Sequence, residues 1–340
     1  MNKIFCFGEL LLHFSPELGG KWLKQSRMPV YLGGAELNTA TALAKWNVPV
    51  TYCTVLPDNY LSKEICGELS KRKISTDQLI FSGNRIGSYY LPQGSDLKNA
   101  GVIYDRAHSS FSELLPGQID WDAVLNNVSW FHFSAISPAL NQNVAVVCKE
   151  ALEAASKKRI TVSVDLNYRS KLWQYGKKPE EIMQVLVEHC DIIMGNIWSA
   201  DDLLGISTDT DIHTKKSKSN YLKHAKKTAE NIMHNFSKCK SVANTFRFDD
   251  GDGIIYYAAL DTNGSQYVSQ EFSTNKVIDK VGSGDCFMAG LIYGSYNKLR
   301  SQEIIDFAAA AAFNKLFIRG DATTSTVEEI KKEHSKNYTK

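Results

Sequence analysis

Short apolar runs alternate with segments of helical periodicity along most of this chain. The apolar runs are rich in β-branched and aromatic residues, which predicts buried strands at residues 3–11, 50–55, 128–133, 160–165 and 191–195. Between them, apolar residues recur at three- and four-residue spacing, which predicts helices at residues 34–46, 62–71, 143–157 and 181–189. Alternating strands and helices form βαβ units, so the sequence predicts an α/β fold of three layers, with a mostly parallel central sheet and helices on both faces. Such sheets bind ligands beyond the carboxyl ends of their strands.

Two segments in the first third of the chain interrupt this alternation. Residues 21–31 and 85–106 have the pattern of half-exposed strands, and the second contains a predicted hairpin turn around residues 94–95. With their flanks, at about residues 15–32 and 85–107, they predict a small β-sheet that stands off the main sheet as a lid. The same pattern also fits an edge decoration. We therefore expect one α/β domain over residues 1–340 that carries a small β-sheet.

The composition is that of an ordinary globular protein. Of the 340 residues, 43% are hydrophobic and 22% are charged, and a formal net charge of +2 gives no reason to expect a nucleic acid or an acidic membrane surface as partner. The seven cysteines are dispersed without a C-x-x-C pair, which is typical of reduced thiols in the cytoplasm and not of a disulfide framework or a zinc site. No apolar stretch approaches the roughly 20 residues of a membrane span. We expect a cytoplasmic protein.

The segment with the clearest chemistry is DKVGSGDCFMAG, at residues 279–290. Gly282 and Gly284 allow a tight turn with an exposed backbone, Asp285 follows directly, and the apolar residues after it have helical spacing. A glycine-rich turn that opens a helix points unpaired N–H groups and the positive end of the helix dipole at one place, which suits a phosphate. Phosphoryl transfer also needs a metal and a carboxylate that accepts the proton of the attacking hydroxyl, and Asp285 could be that base. The alternative is that Asp285 only caps the helix.

Two motifs in the right order resemble those of the ribokinase (PfkB-type) family. Residues 279–290 resemble its C-terminal signature, D-x-x-G-x-G-D-x-F-x-x-G, and residues 33–44, GGAELNTATALA, resemble its G-G-x-x-x-N signature and the alanine-rich helix that follows. The chain has no G-x-x-x-x-G-K-[ST] loop, and no G-x-G-x-x-G follows the first predicted strand, which argues against a nicotinamide-dependent dehydrogenase. The resemblance extends from the first strand to residues 320–321. It implies a ribokinase-like fold and an ATP-dependent sugar kinase that uses Mg²⁺ and admits a monovalent cation such as K⁺.

Within that family the chain is most similar to 2-keto-3-deoxygluconate kinases. The similar features are the basic residue and valine in DKVGSGD, the Tyr-x-Arg of residues 104–106, the run DLNYR at residues 165–169 with LW at 172–173, and the final GDATTSTVEEI. The substrate of such kinases carries a carboxylate, which Arg106 and Arg169 could hold by charge-assisted hydrogen bonds. The alternatives are a salt bridge on the lid surface for Arg106 and a contact to nucleotide phosphate for Arg169.

The resemblance implies roles for further residues. Gly282, Ser283 and Gly284 would form the transfer centre with Asp285, and Gly34 and Asn38 would contact sugar hydroxyls, unless Asn38 is only a helix cap. Tyr89 and Tyr104 would wall the sugar, unless they serve packing or dimer contacts. The nucleotide would contact Asn167, Asn196, Thr245, Arg247 and Asn314 beside Gly282 and Gly284. Asp279 would assist a metal or a monovalent cation, and the lid strands would pair two subunits into a dimer.

Two departures from the family pattern lie on the nucleotide side. Relatives carry N-x-x-E after a central strand, but Asn196 is followed three residues later by Ser199, so Asp201 or Asp202 would have to compensate for the missing acid. Residues 244–252 replace the K-x-G-x-x-G turn of many relatives. We therefore keep two rivals to a 2-keto-3-deoxygluconate kinase: a kinase of a neutral sugar such as fructose or ribose, or of a nucleoside, and a sensor that binds a sugar acid without turnover.

Overall fold

The computed structural model describes residues 3–17, 22–24, 27–93, 101–207, 212, 216–251 and 253–336, with side chains up to residue 332. Its strands are β1 (Lys3–Phe7), β2 (Leu11–Phe14), β3 (Val30–Gly33), β4 (Val50–Cys53), β5 (Val55–Leu56), β6 (Ile80–Phe81), β7 (Gly87–Tyr90), β8 (Ile103–Asp105), β9 (Val128–Ser134), β10 (Thr161–Asp165), β11 (Ile192–Gly195), β12 (Ser241–Asp250), β13 (Gly253–Thr262), β14 (Ser265–Val268) and β15 (Phe272–Thr274). Its α-helices are α1 (Ala35–Lys45), α2 (Tyr60–Lys71), α3 (Trp121–Val124), α4 (Gln142–Lys157), α5 (Pro179–Val187), α6 (Ile197–Leu204), α7 (Lys218–Asn235), α8 (Ser283–Tyr296), α9 (Ser301–Lys315) and α10 (Val327–Lys336).

The main sheet is mostly parallel, as the alternating pattern predicts. Its strand order is β14-β13-β12-β11-β10-β9-β1-β4, and β15 pairs with β13 off this path. Every neighbouring pair from β4 to β12 is parallel, whereas β13 pairs antiparallel with β12, β14 and β15. The carboxyl ends of β1, β9, β10, β11 and β12 therefore lie along one edge of the sheet, where a ligand site is expected.

Helices cover both faces of this sheet. Side chains of β1 alternate between two cores: Ile4 and Cys6 pack with α1, α8 and α9, whereas Phe5 and Phe7 pack with α4 and α5. All four side chains are fully buried. A strand whose successive residues point to opposite faces can be apolar throughout only when both faces are covered. The three-layer prediction is thus confirmed.

Local sequence fixes where several helices begin. The Asn59 side chain accepts a hydrogen bond from the Ser62 amide at the start of α2, and Asn141 does the same for Val144 at the start of α4, both at 3.0 Å. Pro179 occupies the first turn of α5, where its missing N–H costs nothing. None of the helices in the described part of the chain has the length and hydropathy of a membrane span.

The small sheet has the order β3-β2-β7-β8 and differs from the predicted one in its strands. The predicted first strand, residues 3–11, ends at Phe7 in the structure, and after a break at residues 8–10 the chain enters the small sheet as β2. Most of the described part of residues 15–32 is loop, with a short 3₁₀ helix at Trp22–Lys24, and only β3 from Val30 belongs to the sheet. Apolar residues continue through residues 10–14, so the sequence pattern could not show the change of sheet. The predicted hairpin turn at residues 94–95 lies outside the described residues.

Candidate active site

A cavity of about 510 Å³ lies at the carboxyl edge of the main sheet, with the small sheet as one wall. Its volume falls in the usual range for small-molecule sites. The structure brings most of the predicted site residues to this cavity: Gly34, Asn38, Tyr89, Tyr104, Arg106, Asn167, Arg169, Asn196, Thr245, Arg247, Gly282, Ser283, Gly284 and Asp285. Two predicted residues, Asp279 and Asn314, do not line it.

The turn before α8 has the geometry of an anion site. Gly282 is the N-cap of α8 and has a φ of 75°, a left-handed conformation that glycine adopts without strain. A Cβ at this position would overlap the main-chain oxygen of Asp321, so both conformation and space require glycine. At Gly284, by contrast, a Cβ would meet no atom within 4 Å, because the residue borders the cavity. No side chain among the described residues caps α8, so its first N–H groups are left for a ligand.

Asp285 lies in the first turn of α8 and is 8% exposed. Its Oδ2 accepts a hydrogen bond from Asn38 Nδ2 at 2.8 Å, and its main-chain oxygen accepts one from Thr39 Oγ1 at 3.2 Å. Both donors come from the first turns of α1, so the two signature motifs meet at this carboxylate. Because the helix cap is Gly282, the alternative that Asp285 merely caps the helix is wrong.

The surroundings of Asp285 tune its basicity. Burial raises the pKa of Asp285 to about 6, although the Asn38 hydrogen bond and the charges of Arg169 and Lys315 oppose this rise. The Asp321 carboxylate adds to it. A carboxylate with a pKa just below neutrality is ionised at pH 7 and is still basic enough to accept a proton, as a general base requires.

The predicted sugar side is built around the start of α1. Gly34 has a φ of 127°, and a Cβ there would overlap the main-chain oxygen of Glu9, so only glycine lets α1 begin this close to the chain after β1. Gly34 is also the N-cap of α1, and no side chain in the described part of the chain caps this helix, so the capping alternative for Asn38 is wrong. Tyr104, half-buried on β8, faces Tyr89 on β7 with ring centroids 6.4 Å apart.

Arg106 lines the cavity within a buried ion pair. Its Nε and Nη2 donate to Glu9 Oε2 at 2.7 and 2.6 Å, and the side chains are only 5% and 2% exposed. Ser109 Oγ donates to the other oxygen of Glu9. The alternative prediction, a salt bridge on the lid surface, is therefore wrong. Glu9 instead balances the Arg106 charge at the cavity wall and ties the end of β8 to the chain after β1.

Arg169 follows β10 and is half-buried at the same cavity. Its Nη1 donates to the main-chain oxygen of Tyr168 at 2.9 Å, and its charge lowers the pKa of Asp285. In the described residues no carboxylate lies within ion-pair distance of its guanidinium. This side chain is therefore a cavity cation whose charge is available to an anionic group of a ligand.

The predicted nucleotide side follows β11 and β12. Asn196 caps α6: its Oδ1 accepts from the Ser199 amide at 2.9 Å, and Ser199 Oγ accepts from the Asn196 amide at 2.9 Å. Ser199 thus takes the place of the expected acid as a helix cap. One turn further, Asp202 lines the cavity whereas Asp201 does not, so Asp202 is the acid that can compensate. Burial, followed by the charge of Asp201, raises the pKa of Asp202.

Two predicted site residues lie outside the cavity. Asp279 is buried, and its two oxygens accept from the amides of Val281 and Gly320, both at 3.0 Å, so this carboxylate holds the turn together. Asn314 Oδ1 accepts a hydrogen bond from Ser325 Oγ. The predicted roles of Asp279 at a metal or monovalent cation and of Asn314 at the nucleotide stay predictions.

Sequence reasoning missed a buried network between the small sheet and the α8 turn. Asp321 accepts from His13 Nδ1 at 2.6 Å and from the Tyr89 hydroxyl, and the His13 and Tyr89 rings stack with centroids 4.4 Å apart. Asp321 lines the cavity and also abuts Gly282. The Gly-Asp pair at residues 320–321 was visible as a signal, but its partners His13 and Tyr89, 308 and 232 residues away, were not.

Known proteins share this fold over nearly the whole chain. Residues 1–325 match the family described as pfkB family carbohydrate kinase. This chain belongs to that family.

Two further similarities narrow the comparison. The chain is 25% identical to the 2-dehydro-3-deoxygalactonokinase of Haloferax volcanii over 330 residues. These aligned residues cover 97% of this chain and 96% of the relative. The crystal structure of 2-dehydro-3-deoxygluconokinase from Thermotoga maritima has a TM-score of 0.89 and 34% identity, and covers 98% of this chain and 100% of that one. The crystal structure of a PfkB family carbohydrate kinase from Listeria grayi has a TM-score of 0.85 and 27% identity, and covers 98% of this chain and 100% of that one. As a pfkB kinase, the protein transfers a phosphoryl group to a sugar hydroxyl, and the family implies ATP and a divalent metal ion.

The cavity of this pfkB kinase fits both cofactors. The uncapped first turn of α8 offers N–H donors to phosphate oxygens. In the part of the chain that the structure describes, no group of three or more His, Cys, Asp or Glu side chains could hold a metal ion alone. Mg²⁺ is commonly bound by one or two carboxylates together with substrate phosphates. Asp202, which lines the cavity one turn after Asn196, would share the ion with the nucleotide phosphates in this way.

Proposed function

We propose that this kinase phosphorylates the terminal hydroxyl of 2-keto-3-deoxygluconate with MgATP. The observation that carries the proposal is the presence of Asp285 and Arg169 at one cavity, a base beside a cation that a neutral sugar would leave without an anionic partner. The names of the Haloferax volcanii and Thermotoga maritima relatives, which denote kinases of 2-dehydro-3-deoxy sugar acids, support the same substrate class.

In the proposed reaction Asn38 holds the Asp285 carboxylate by its hydrogen bond, so that the other oxygen faces the sugar. Asp285 accepts the proton of the terminal hydroxyl while the hydroxyl oxygen bonds to the γ-phosphorus and ADP leaves. The amides of Ser283, Gly284 and Asp285 donate to the oxygens of the transferred group, where negative charge collects. Bound Mg²⁺ would neutralise charge on the nucleotide phosphates. Asn167, Asn196, Thr245 and Arg247 would line the nucleotide.

The acid end of the substrate would lie against the arginines. Arg169 supplies a charge-assisted, bidentate pair to the carboxylate, and Arg106 is a second donor whose charge Glu9 already balances in part. Gly34 allows the close approach of the sugar to the backbone, and Tyr104 covers its apolar face from the small sheet, which would act as a lid. This division makes Arg169 the main determinant of acid specificity.

A substrate panel tests the proposal. ADP release with MgATP is measured against 2-keto-3-deoxygluconate, 2-keto-3-deoxygalactonate, fructose, ribose and adenosine. We expect turnover on one or both keto acids and a kcat/KM at least about 100-fold lower on the others, since a lost buried charge pair is worth about 3 kcal/mol or more. Turnover preferentially on fructose, ribose or adenosine would overturn the substrate while leaving the kinase intact. Binding of a keto acid without turnover would favour the sensor.

Arg169→Met separates acid recognition from general damage. We expect it to raise KM for the keto acid by about 10- to 100-fold and to change KM for ATP little, because it removes binding to one substrate. Arg27→Met, at an exposed arginine that does not line the cavity, is the matched control. Arg106→Ala is less informative, because it would strand the buried Glu9 carboxylate and destabilise the fold. An unchanged KM for the acid in Arg169→Met would contradict this role.

We also propose that two chains pair through the small sheet. Its edge strands β3 and β8 expose Val30 and Ile103, at 49% and 52%, and exposed apolar side chains on edge strands favour pairing. Ile103→Lys is expected to shift the mass measured by light scattering from dimer to monomer, with Leu115→Lys as an exposed apolar control outside the sheet. A monomeric wild-type protein would refute the dimer.

A further inference from the structure

Lys315 is a buried cation that has no role in the reaction proposed above. It ends α9, has no exposed surface, and donates from Nζ to the main-chain oxygen of Ile318 at 3.0 Å. A buried ammonium costs several kcal/mol unless opposite charges compensate it. Such a group is retained either because the fold needs it or because the site in front of it uses its charge.

Three carboxylates surround this ammonium. Asp279, Asp321 and Asp285 all act on Lys315 electrostatically, together with the Cys286 thiol. Burial lowers the pKa of Lys315, and these acids oppose that fall.

The side chain also lies directly behind the anion turn. Its Cε would be 3.5 Å from a Cβ built on Gly282, on the side that Asp321 occupies. Ser283 Oγ, on the same turn, donates to the main-chain oxygen of Ala312 in α9 at 3.0 Å. The turn is thus mounted on the end of α9 that carries the ammonium.

We propose that Lys315 is a built-in cation behind the phosphate-binding turn, a positioning residue that keeps Asp285 ionised and supplies the charge that a monovalent ion would otherwise provide there. Asp279 faces this ammonium and uses both its oxygens on backbone amides, so its charge is matched within the protein. The inference rests on the proposed kinase reaction for its effect on turnover, but its effect on Asp285 does not depend on the substrate.

Charges of opposite sign act on the Asp285 carboxylate and shift its pKa in opposite directions. Among the described residues, the charged or titratable groups that act on Asp285 or are acted on by it are Arg169 after β10, Lys315 on α9, Asp321 before α10, Glu36 on α1, Tyr89 on β7 and Cys286 on α8. Lys315 favours the ionised form of Asp285, and Asp321 disfavours it. The positive charge of Lys315 also adds to that of the α8 N-terminus, which holds negative phosphoryl oxygens.

The first test titrates Asp285 itself, without turnover. The ¹³C resonance of its carboxyl carbon is assigned by comparison with Asp285→Asn. It is then followed against pH in the wild-type protein, in Lys315→Met and in Asp321→Asn. We expect Lys315→Met to raise the pKa of Asp285 and Asp321→Asn to lower it, because the two variants remove charges of opposite sign. A purely structural role for Lys315 predicts no such opposed pair of shifts, and equal or absent shifts would overturn the proposal.

Lys315→Met removes a buried cation whose charge acts on three buried acids, so this variant could fail to fold. The double variant Lys315→Met/Asp279→Asn removes one charge of each sign, and it is measured in the same titration if the single variant is insoluble. A rise in the pKa of Asp285 in the double variant supports the proposal. An unchanged value in the folded double variant contradicts it, whatever the activity of the wild-type protein.

The second test concerns monovalent ions. ADP formed by the wild-type kinase is measured by chromatography in KCl, NaCl and tetramethylammonium chloride at equal ionic strength. We expect rates within about twofold of one another, and in the folded Lys315 variant a kcat lowered about tenfold or more with little change in KM for the sugar. A wild-type rate that requires K⁺ would overturn the built-in cation. Absence of turnover in every salt would count against the proposed function and leave the Asp285 titration to decide on Lys315.

Discussion

Asp285 is a buried carboxylate in an environment that raises its pKa from 3.8 to about 6. The folded protein therefore holds this proton more tightly than the unfolded chain does. By linkage, ionisation of Asp285 lowers stability as the pH rises from about 4 to 6, and the cost is fully present above pH 6. A catalytic base often lowers the stability of the fold in this way, because the same burial that destabilises the ionised carboxylate makes it a better proton acceptor.

The first residue-scale prediction concerns pH. Since only the ionised carboxylate can accept a proton, kcat/KM for the sugar is expected to fall about tenfold per pH unit below an apparent pKa of about 6. Rates are measured from pH 4.5 to 8 with the stability of the protein checked at each pH. A profile that stays flat down to pH 5 would contradict the assignment of Asp285 as the base.

The second residue-scale prediction compares the two glycines of the turn. Gly282→Ala forces a Cβ against the Asp321 main-chain oxygen at a positive φ, so we expect it to lower the free energy of unfolding by about 2 kcal/mol or more. Gly284→Ala places its methyl group in open space beside the cavity, so we expect normal stability but kcat/KM for ATP at least about tenfold lower. Thermal melts and ATP kinetics check both. Full activity in Gly284→Ala would show that no phosphate approaches this backbone.

The sequence predicted the residues of the site whose role depends on local spacing. Gly282, Gly284 and Asp285 belong to one short turn, and Asn38 belongs to a second motif. By contrast, the Glu9–Arg106 pair spans 97 residues and the His13–Asp321 pair spans 308, and neither follows from periodicity. Which side of a turn a carboxylate faces was equally invisible: both oxygens of Asp279 accept from backbone amides, and the residue does not line the cavity.

At the scale of elements, strands β2 and β7 are joined to the α8 turn through one residue. Asp321 accepts hydrogen bonds from His13 on β2 and from Tyr89 on β7, and its backbone fills the space beside Gly282. Nε2 of His13 faces the main-chain oxygen of Leu91 at 3.2 Å. Because both partners of the ring are acceptors, the imidazole must carry both protons to satisfy them, and it is then a cation.

A pH dependence of stability follows from this cation. Burial lowers the pKa of His13, but the hydrogen bond and charge of Asp321 outweigh it and raise the pKa above 6.5. A raised histidine pKa stabilises the fold fully below about pH 6.5, and the contribution is lost as the pH rises through the folded value. His13→Asn keeps a donor toward Asp321 but cannot titrate.

The expected result is a difference between two melting curves. The Tm of the wild-type protein, relative to His13→Asn, is expected to fall between pH 6.5 and 9, with His234→Asn at an exposed histidine as the control. Parallel Tm profiles for wild type and His13→Asn would mean that His13 does not exchange its proton in this range and that the ion pair is not the link.

Element boundaries were predictable where a cap or a change of period marks them. Helices α2, α4 and α5 begin within two residues of their predicted starts, at Tyr60, Gln142 and Pro179. The end of β1 was not predictable, because the apolar pattern continues into β2 and only the tertiary structure sends the two strands to different sheets. Strand β4 likewise ends at Cys53, and Val55 begins β5 in a third, two-stranded sheet.

On the scale of the whole molecule, the active-site cavity exists because two sheets meet at one edge. The carboxyl ends of parallel strands present Glu9, Arg169 and Asn196, and the small sheet closes the cavity with Tyr104. The topological rule that ligands bind at the carboxyl ends of such strands predicted the place. The three-layer order could also be inferred from alternation. The buried charges behind the turn, His13 and Lys315, could not, because burial of a charge depends on partners from distant elements.

The central claim is that Asp285 accepts the proton of the attacking hydroxyl in phosphorylation of a sugar acid. One variant tests this claim most directly. Asp285→Asn keeps the volume and the hydrogen bond from Asn38 but cannot accept a proton at neutral pH. Phosphate ester formation on 2-keto-3-deoxygluconate is followed by ³¹P NMR, with ATP affinity and Tm measured on the same samples. We predict a kcat lowered at least about 1,000-fold, unchanged ATP affinity and a Tm at pH 8 no lower than that of the wild type. A folded Asp285→Asn protein that phosphorylates the keto acid at near wild-type rate would contradict the account.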